Sequence, residues 1–219
     1  MNGLLLVGSP RLDRSASERI GAYLLQRLAE RGVETDKQYI YRVVRSEERL
    51  NDLVESVAGT DLVIFSSPLY VDALPAAVTQ LLEVLHRRLD KHHRAEGQRL
   101  VAISNCGFPE AEQNEIALRI YRAFARQSGF TWAGGLALGG GEMIKQRPLE
   151  PSGPSRPVVE ALDATAGALV DGDPVPQEAA DKMAGPLIPV WIYRAMGNMG
   201  WHYQALRNGT WRQLRERVW

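Results

Sequence analysis

At 219 residues, with 45% hydrophobic and 24% charged side chains, the chain can bury a substantial core, and one α/β domain with an extension is expected. Its 26 basic and 26 acidic side chains cancel, which argues against a nucleic-acid binder relying on bulk positive charge. A single cysteine, Cys106, excludes an internal disulfide and any multi-cysteine metal or iron–sulfur site.

Leu4-Leu5-Leu6-Val7 has the length of a buried strand, and Ala16, Ile20, Leu24 and Leu28 follow at helical spacing. The loop between them gathers three hydroxyls (Ser9, Ser15, Ser17) and two cations (Arg11, Arg14). A helix start offers unpaired N–H groups and a positive dipole end, both favourable to a phosphate. Ser15-Ala16-Ser17-Glu18 equally fits a capping box, so these residues alone read as phosphate site or as simple cap.

Thr35 to Val44 reads as a second strand, and Glu47 to Ala58 as a helix with Leu50, Leu53, Val54 and Val57 on one side. Asp61 to Phe65 is continuous and apolar, as a strand covered on both faces should be. Leu74, Val78, Leu81, Leu82, Leu85 and Leu89 mark a long amphipathic helix. Leu100 to Ile103 is a further buried strand, followed by a helix through Ile116, Ile120 and Phe124. Phe130 to Leu138 supplies a fifth strand, ending in Gly139-Gly140-Gly141. Lys145 to Pro157, with four prolines, reads as a linker. Val158 to Val170 is then a helix stopped by Gly172-Asp173-Pro174. Four of the five tryptophans (Trp191, Trp201, Trp211, Trp219) lie beyond Gly185, too many for a disordered end. They are expected to pack at a subunit interface, over a cleft, or across the outer helices.

Alternating strands and helices imply a parallel sheet with helices on both faces. Ligands of such sheets sit beyond the carboxyl ends of the strands. That selects the loops Gly8 to Ser15, Ser66 to Ala73, Asn105 to Glu112 and Gly139 to Met143. Neither the G-x-G-x-x-G dinucleotide fingerprint nor a Walker A sequence occurs.

Gly8-Ser9-Pro10-Arg11 with Ser15 and Ser17, the element Ser67-Pro68-Leu69-Tyr70-Val71-Asp72-Ala73-Leu74-Pro75, Asn105-Cys106-Gly107-Phe108 and the triple glycine together resemble the flavodoxin-like NAD(P)H-dependent FMN reductases and related quinone reductases. The resemblance covers about Met1 to Ile144, and P-L-Y-x-x-x-L-P is its most specific piece. It implies a three-layer fold whose five-stranded parallel sheet runs in order 2-1-3-4-5, holding non-covalent FMN. Residues 1–172 would form the FMN-binding domain, and residues 173–219 a helical, tryptophan-rich extension on that domain or on a partner subunit. Ser9, Arg11, Ser15 and Ser17 would hold the phosphate. Pro68, Leu69, Tyr70 and Val71 would lie along the isoalloxazine ring and ribityl chain, and Asn105, Cys106, Gly107 and Phe108 along the pyrimidine side. Asp13, a negative charge in the phosphate loop, should point outward or pair with Arg11 or Arg14.

The expected function is an FMN-dependent oxidoreductase that passes a hydride from NADPH or NADH to a quinone, flavin or similar small acceptor. The chemistry would be the cofactor's, with no side chain acting as obligatory acid or base and no metal. The alternatives are an electron-carrying or redox-sensing flavodoxin and a cofactor-free interaction module. Relatives of this kind are commonly dimers, so a homodimer or higher homo-oligomer is expected. A cytoplasmic setting fits an N-terminus without a basic segment and a chain without a membrane-length apolar run. Cys106 reads as a space-filler or as a thiol activated by a helix start. His86-Arg87-Arg88 with Lys91-His92-His93-Arg94 reads as a solvated helix end or as a 2′-phosphate site. The adjacent pair His92-His93 is a poor metal site, because neighbouring helical residues point apart.

Overall fold

The computed structural model describes residues 1–89, 97–145, 149–214 and 216. Leu4, Leu6, Val63, Phe65, Leu100 and Ala102 enter the core on one face of a parallel sheet, while Leu5, Val7, Leu62, Ile64, Val101 and Ile103 enter it on the other. The alternation is the period-2 geometry of strands covered on both sides. Five strands, β1 (Asn2–Val7), β2 (Glu34–Tyr39), β3 (Leu62–Pro68), β4 (Arg99–Asn105) and β5 (Thr131–Leu138), lie in the order β2-β1-β3-β4-β5. This is the expected flavodoxin-like topology, with strand order reversing between β1 and β3.

On the first face, buried residues of α3 (Glu47–Ala58), α4 (Ala76–Arg88) and α5 (Glu115–Gln127) complete the core. On the second, α1 (Ala16–Ala29), α7 (Arg156–Asp171) and α8 (Gln177–Ala184) do so, with Ala179 and Met183 of α8 fully inside. Two further short helices are α2 (Ile40–Val43) and α6 (Gly141–Lys145). The chain then continues into α9 (Val190–Arg207), of which only Ala205 is buried.

Three sequence expectations are corrected. The second strand ends at Tyr39, and Ile40 to Val43 turns into α2 because Ile40 and Val43, three residues apart, both enter the core. The buried face of α5 is Ala117, Tyr121, Phe124 and Ala125; Ile116 is 52% exposed. Tyr121 can occupy the core because its hydroxyl lies 2.8 Å from that of Ser67. The proline-rich linker is largely structured: α6 reaches Lys145, a 3-10 turn covers Gly153–Ser155, and Pro157 sits in the first turn of α7. A missing N–H costs nothing at that position. Residues 146–148 of this stretch lie outside the described residues.

For the tryptophans, one of the three expected placements is excluded. Trp191, Trp201 and Trp211 are 73%, 68% and 46% exposed, so the outer helices do not bury them. Trp219 lies outside the described residues. Among the described residues no helix is long and apolar enough to cross a membrane.

Candidate functional site

The carboxyl ends of β1, β3 and β4, with the turn after β5, surround an open cleft of about 540 Å³. Its walls are Ser9, Arg11, Ser15, Ala16, Ser17, Pro68, Leu69, Tyr70, Asn105, Cys106, Gly107, Gly141 and Glu142. Ten of the twelve residues expected from the sequence thus meet in one cleft. Val71 and Phe108 do not line it: they are 98% and 59% exposed.

The first loop leaves β1 through Gly8, whose amide donates to Ser66 O at 2.8 Å. An added Cβ at Gly8 would come within 2.8 Å of Ser67 Cβ, so only glycine permits this close exit. Ser15 is the N-cap of α1: its Oγ accepts from the Glu18 amide at 3.1 Å and donates to Leu12 O at 2.7 Å. Only half of the capping box forms, because the Glu18 carboxylate reaches Lys37 Nζ at 2.6 Å. Ser17 donates its hydroxyl to Asn105 Oδ1 at 2.7 Å, tying the first loop to the third. Ser9 Oγ accepts from the Arg11 amide at 3.3 Å, which leaves its own O–H to donate.

Among the described residues, no acceptor reaches the amides of Ala16 and Ser17, the first two N–H groups of a 14-residue helix. Those two amides and the Ser9 hydroxyl form a donor set at the positive end of α1. An anion with several acceptor oxygens fits that chemistry. Arg11 reaches across the cleft to Glu142, Nη1 to Oε1 3.0 Å, with both side chains about half exposed. Asp13 is exposed, as one of its two expected placements required.

The second loop folds sharply at Val71 and Asp72, where φ is +48° and +58°. Tyr70 and Ala73 exchange backbone hydrogen bonds of 2.9 and 3.1 Å across that bend, and Leu69 N donates to Asn105 O at 2.8 Å. The bend sends Val71 to solvent and keeps Tyr70, 44% exposed, on the cleft rim.

The third and fourth loops are laced together by backbone: Cys106 N to Leu138 O 3.0 Å, Gly140 N to Phe108 O 2.7 Å, and Gly141 N to Cys106 O 2.8 Å. Behind them Asn114 receives the Ser104 hydroxyl at 2.9 Å and donates to Ala111 O and Leu138 O at 3.0 and 3.2 Å. Burial pushes the Cys106 thiol above its ordinary range, against the smaller opposing pull of the Phe108 backbone and Asn114. The structure therefore places Cys106 as a protonated space-filler, not an activated thiolate. Tyr193 of α9 donates its hydroxyl to Gly107 O at 2.6 Å, and Arg194 reaches Glu110 at 2.8 Å. Glu142, Asn114 and Tyr193 escaped sequence reasoning. The one available hint was Glu142, an acid directly after the triple glycine.

Two residues of the basic run at the end of α4, His86 and Arg88, are engaged away from the cleft. Arg88 pairs with Glu47 and Asn51 of α3, and His86 Nδ1 lies 3.0 Å from Ser128 Oγ. Lys91, His92, His93 and Arg94 lie outside the described residues.

Sheet order, helix placement and a cleft at the strand-order reversal define a flavodoxin-like α/β protein. The family model described as NADPH-dependent FMN reductase matches residues 1–120, more than half of the chain, and the chain belongs to that family. Among solved structures it resembles an FMN-dependent NADH-azoreductase from Bacillus anthracis str. Ames Ancestor in complex with FMN, with TM-score 0.58 and 10% identity over 77% of this chain and 99% of that one. It also resembles an NADPH-quinone reductase from P. pentosaceus, with TM-score 0.57 and 20% identity over 76% and 98%. A flavodoxin from Streptococcus pneumoniae TIGR4 gives TM-score 0.55 and 14% identity over 78% and 99%. At these identities the likeness is one of fold. No curated protein matches the chain.

Proposed function

We propose that this protein is an FMN-dependent oxidoreductase that takes a hydride from NADPH or NADH and passes it to a quinone, a flavin or a similar small acceptor. Family membership supports the flavin and nicotinamide chemistry. The observation that carries the assignment to this cleft is the donor set of Ser9 Oγ and the Ala16 and Ser17 amides at the start of α1. Those groups, with Arg11, would hold the FMN phosphate. Ser15 would act as the cap that fixes the loop, and Ser17 Oγ as the tie to Asn105.

Pro68, Leu69 and Tyr70 supply an apolar and aromatic wall against which a flat ring would rest. Asn105, Cys106 and Gly107 line the cleft beside this wall, and a Cβ at Gly107 would touch nothing within 4 Å. When bound, the flavin would supply the redox chemistry, accepting a hydride from one substrate and delivering two electrons to the next. The chain's own part is to position, to exclude water and to complement the phosphate charge. Residues 1–172 would form the cofactor-binding unit, and residues 173–219 its extension.

The test is to load the purified protein with FMN and mix it with NADPH or NADH in a stopped-flow spectrometer. Rapid bleaching of the flavin absorbance by either nucleotide is expected. A yellow protein that neither nucleotide bleaches would indicate an electron carrier, and one that takes up no FMN would defeat the reading.

A further inference from the structure

A second concavity, an open groove of about 940 Å³, runs along α5 beside the edge strand β5. Its walls are Arg119, Arg122, Ala123 and Arg126 of the helix, facing Phe130 and Trp132. The three arginines stand three and four residues apart, so the helix presents them as one stripe about 10 Å long. All three are exposed, and no lining residue is acidic. Glu115 pairs with Arg119, whereas among the described residues Arg122 and Arg126 have no acidic partner. Across from them Phe130 is buried and Trp132 partly buried. A Cβ at Gly135 would stand 3.2 Å from Trp132 Cζ2, so the indole packs against backbone that carries no side chain. Trp132 lies near the start of β5, six residues and about 20 Å from Leu138 at the cleft end of that strand. The groove is therefore separate from the cleft.

We propose that this groove is a second ligand site, for a nucleoside polyphosphate whose base rests on the Trp132 indole and whose phosphates bridge Arg122 and Arg126. The planar fork of arginine meets phosphate oxygens two at a time, and guanidiniums one helical turn apart reach neighbouring phosphates. An indole offers any base a face on which to stack. Ala123, set between the arginines, is small enough to keep the space between helix and strand open. An exposed ion pair is weak, so Arg119 can leave Glu115 for a further phosphate.

An acidic peptide suits the groove less well. Peptides commonly dock beside a sheet by adding a strand, and Ala133 O on the β5 edge is already taken by the Val175 amide at 2.7 Å. A nucleic-acid strand needs a longer cationic track than two helical turns. Glu112 and Glu115 stand at the start of the same helix, and the charges of the whole chain cancel.

Isothermal titration calorimetry should find one ATP bound per chain, with the same affinity whether or not one equivalent of FMN is present. Tripolyphosphate, which lacks the base, should bind about tenfold more weakly, and adenosine, which lacks the phosphates, more weakly still. Arg122→Gln combined with Arg126→Gln should weaken ATP about a hundredfold while circular dichroism stays that of the parent. Trp132→Leu should cost about tenfold and Trp132→Phe much less, because the latter keeps an aromatic face. Arg11→Ala, which alters the cleft, should leave ATP affinity unchanged. No ATP binding, equal affinity for ATP and tripolyphosphate, or loss of ATP in Arg11→Ala rather than in the arginine pair would overturn the proposal. So would a single-stranded oligodeoxynucleotide that binds more tightly than ATP and is lost with the same pair, which would assign the groove to nucleic acid.

Discussion

Arg11 has two partners to choose between. In the structure its guanidinium is held by Glu142, and an anion at the start of α1 would compete for it. Because both side chains are about half exposed, the ion pair contributes little, on the order of 0.5 kcal/mol. Glu142→Gln should therefore tighten FMN binding about two- to fivefold by removing a carboxylate from the cleft, and Arg11→Ala should weaken it by about tenfold. Fluorescence titration of FMN would measure both, and a Glu142→Gln variant that binds more weakly would show that the carboxylate helps. Cys106 makes a second prediction at this scale. Its raised thiol pKa favours the protonated form, so the reactive thiolate accumulates only above the range of a free cysteine. Iodoacetamide labelling at neutral pH should be much slower than for a free thiol and should accelerate only in alkali. Rapid neutral labelling would contradict the burial described.

At the scale of elements, the turn after β5 is shaped by how closely it approaches the third loop. A Cβ at Gly139 would lie 2.3 Å from Pro109 O and 2.7 Å from Pro109 C, both backbone atoms that cannot step aside. Gly139→Ala should thus destabilise the protein by roughly 1–3 kcal/mol, as overpacking does. It should also separate the Gly140–Phe108 and Gly141–Cys106 hydrogen bonds. Urea denaturation would read the cost, and a midpoint equal to the parent's would remove this steric argument. Elements also show where periodicity misleads. The Ile116, Ile120, Phe124 series runs along one edge of α5, whereas the buried face is centred on Ala117 and Tyr121. A phenol enters a core readily when a buried hydroxyl is waiting for it, and Ser67 on β3 is that partner. Residues 40–44 are rich in β-branched and aromatic side chains, which favour strands. Packing of Ile40 and Val43 beneath α3 and α4 made a helical turn instead.

For the whole molecule, the cleft joins parts remote in sequence: Ser17 meets Asn105 across 88 positions, and Arg11 meets Glu142 across 131. A ligand bridging the loops after β1, β3 and β4 binds only the folded chain, so it should stabilise the whole protein by mass action. At a hundredfold excess over its dissociation constant FMN should contribute about 2.7 kcal/mol. That corresponds to roughly 5–10 °C in Tm for a chain of this size. A thermal-shift assay with FMN, and with riboflavin as the phosphate-free control, would separate ring from phosphate binding. Equal shifts for both would remove α1 from the phosphate site.

The alternation of strands and helices, the two buried sheet faces and the loops that form the cleft follow from short-range pattern, whereas the strand order was implied only by the family resemblance. Apolar strand runs alternate with 3.6-period helices, and the physics of parallel sheets puts Gly-, Ser- and Pro-rich turns at one edge. Only tertiary structure decided how the donors are used. Ser15 became a cap and Ser17 a tie to Asn105, while no acceptor among the described residues reaches the amides of Ala16 and Ser17. A hydroxyl's partner depends on which atom a distant loop brings within 3 Å, and no local pattern encodes that. The same holds for α9: its apolar residues are plain in the chain, but only the folded structure shows that all of them except Ala205 stay outside the fully buried core.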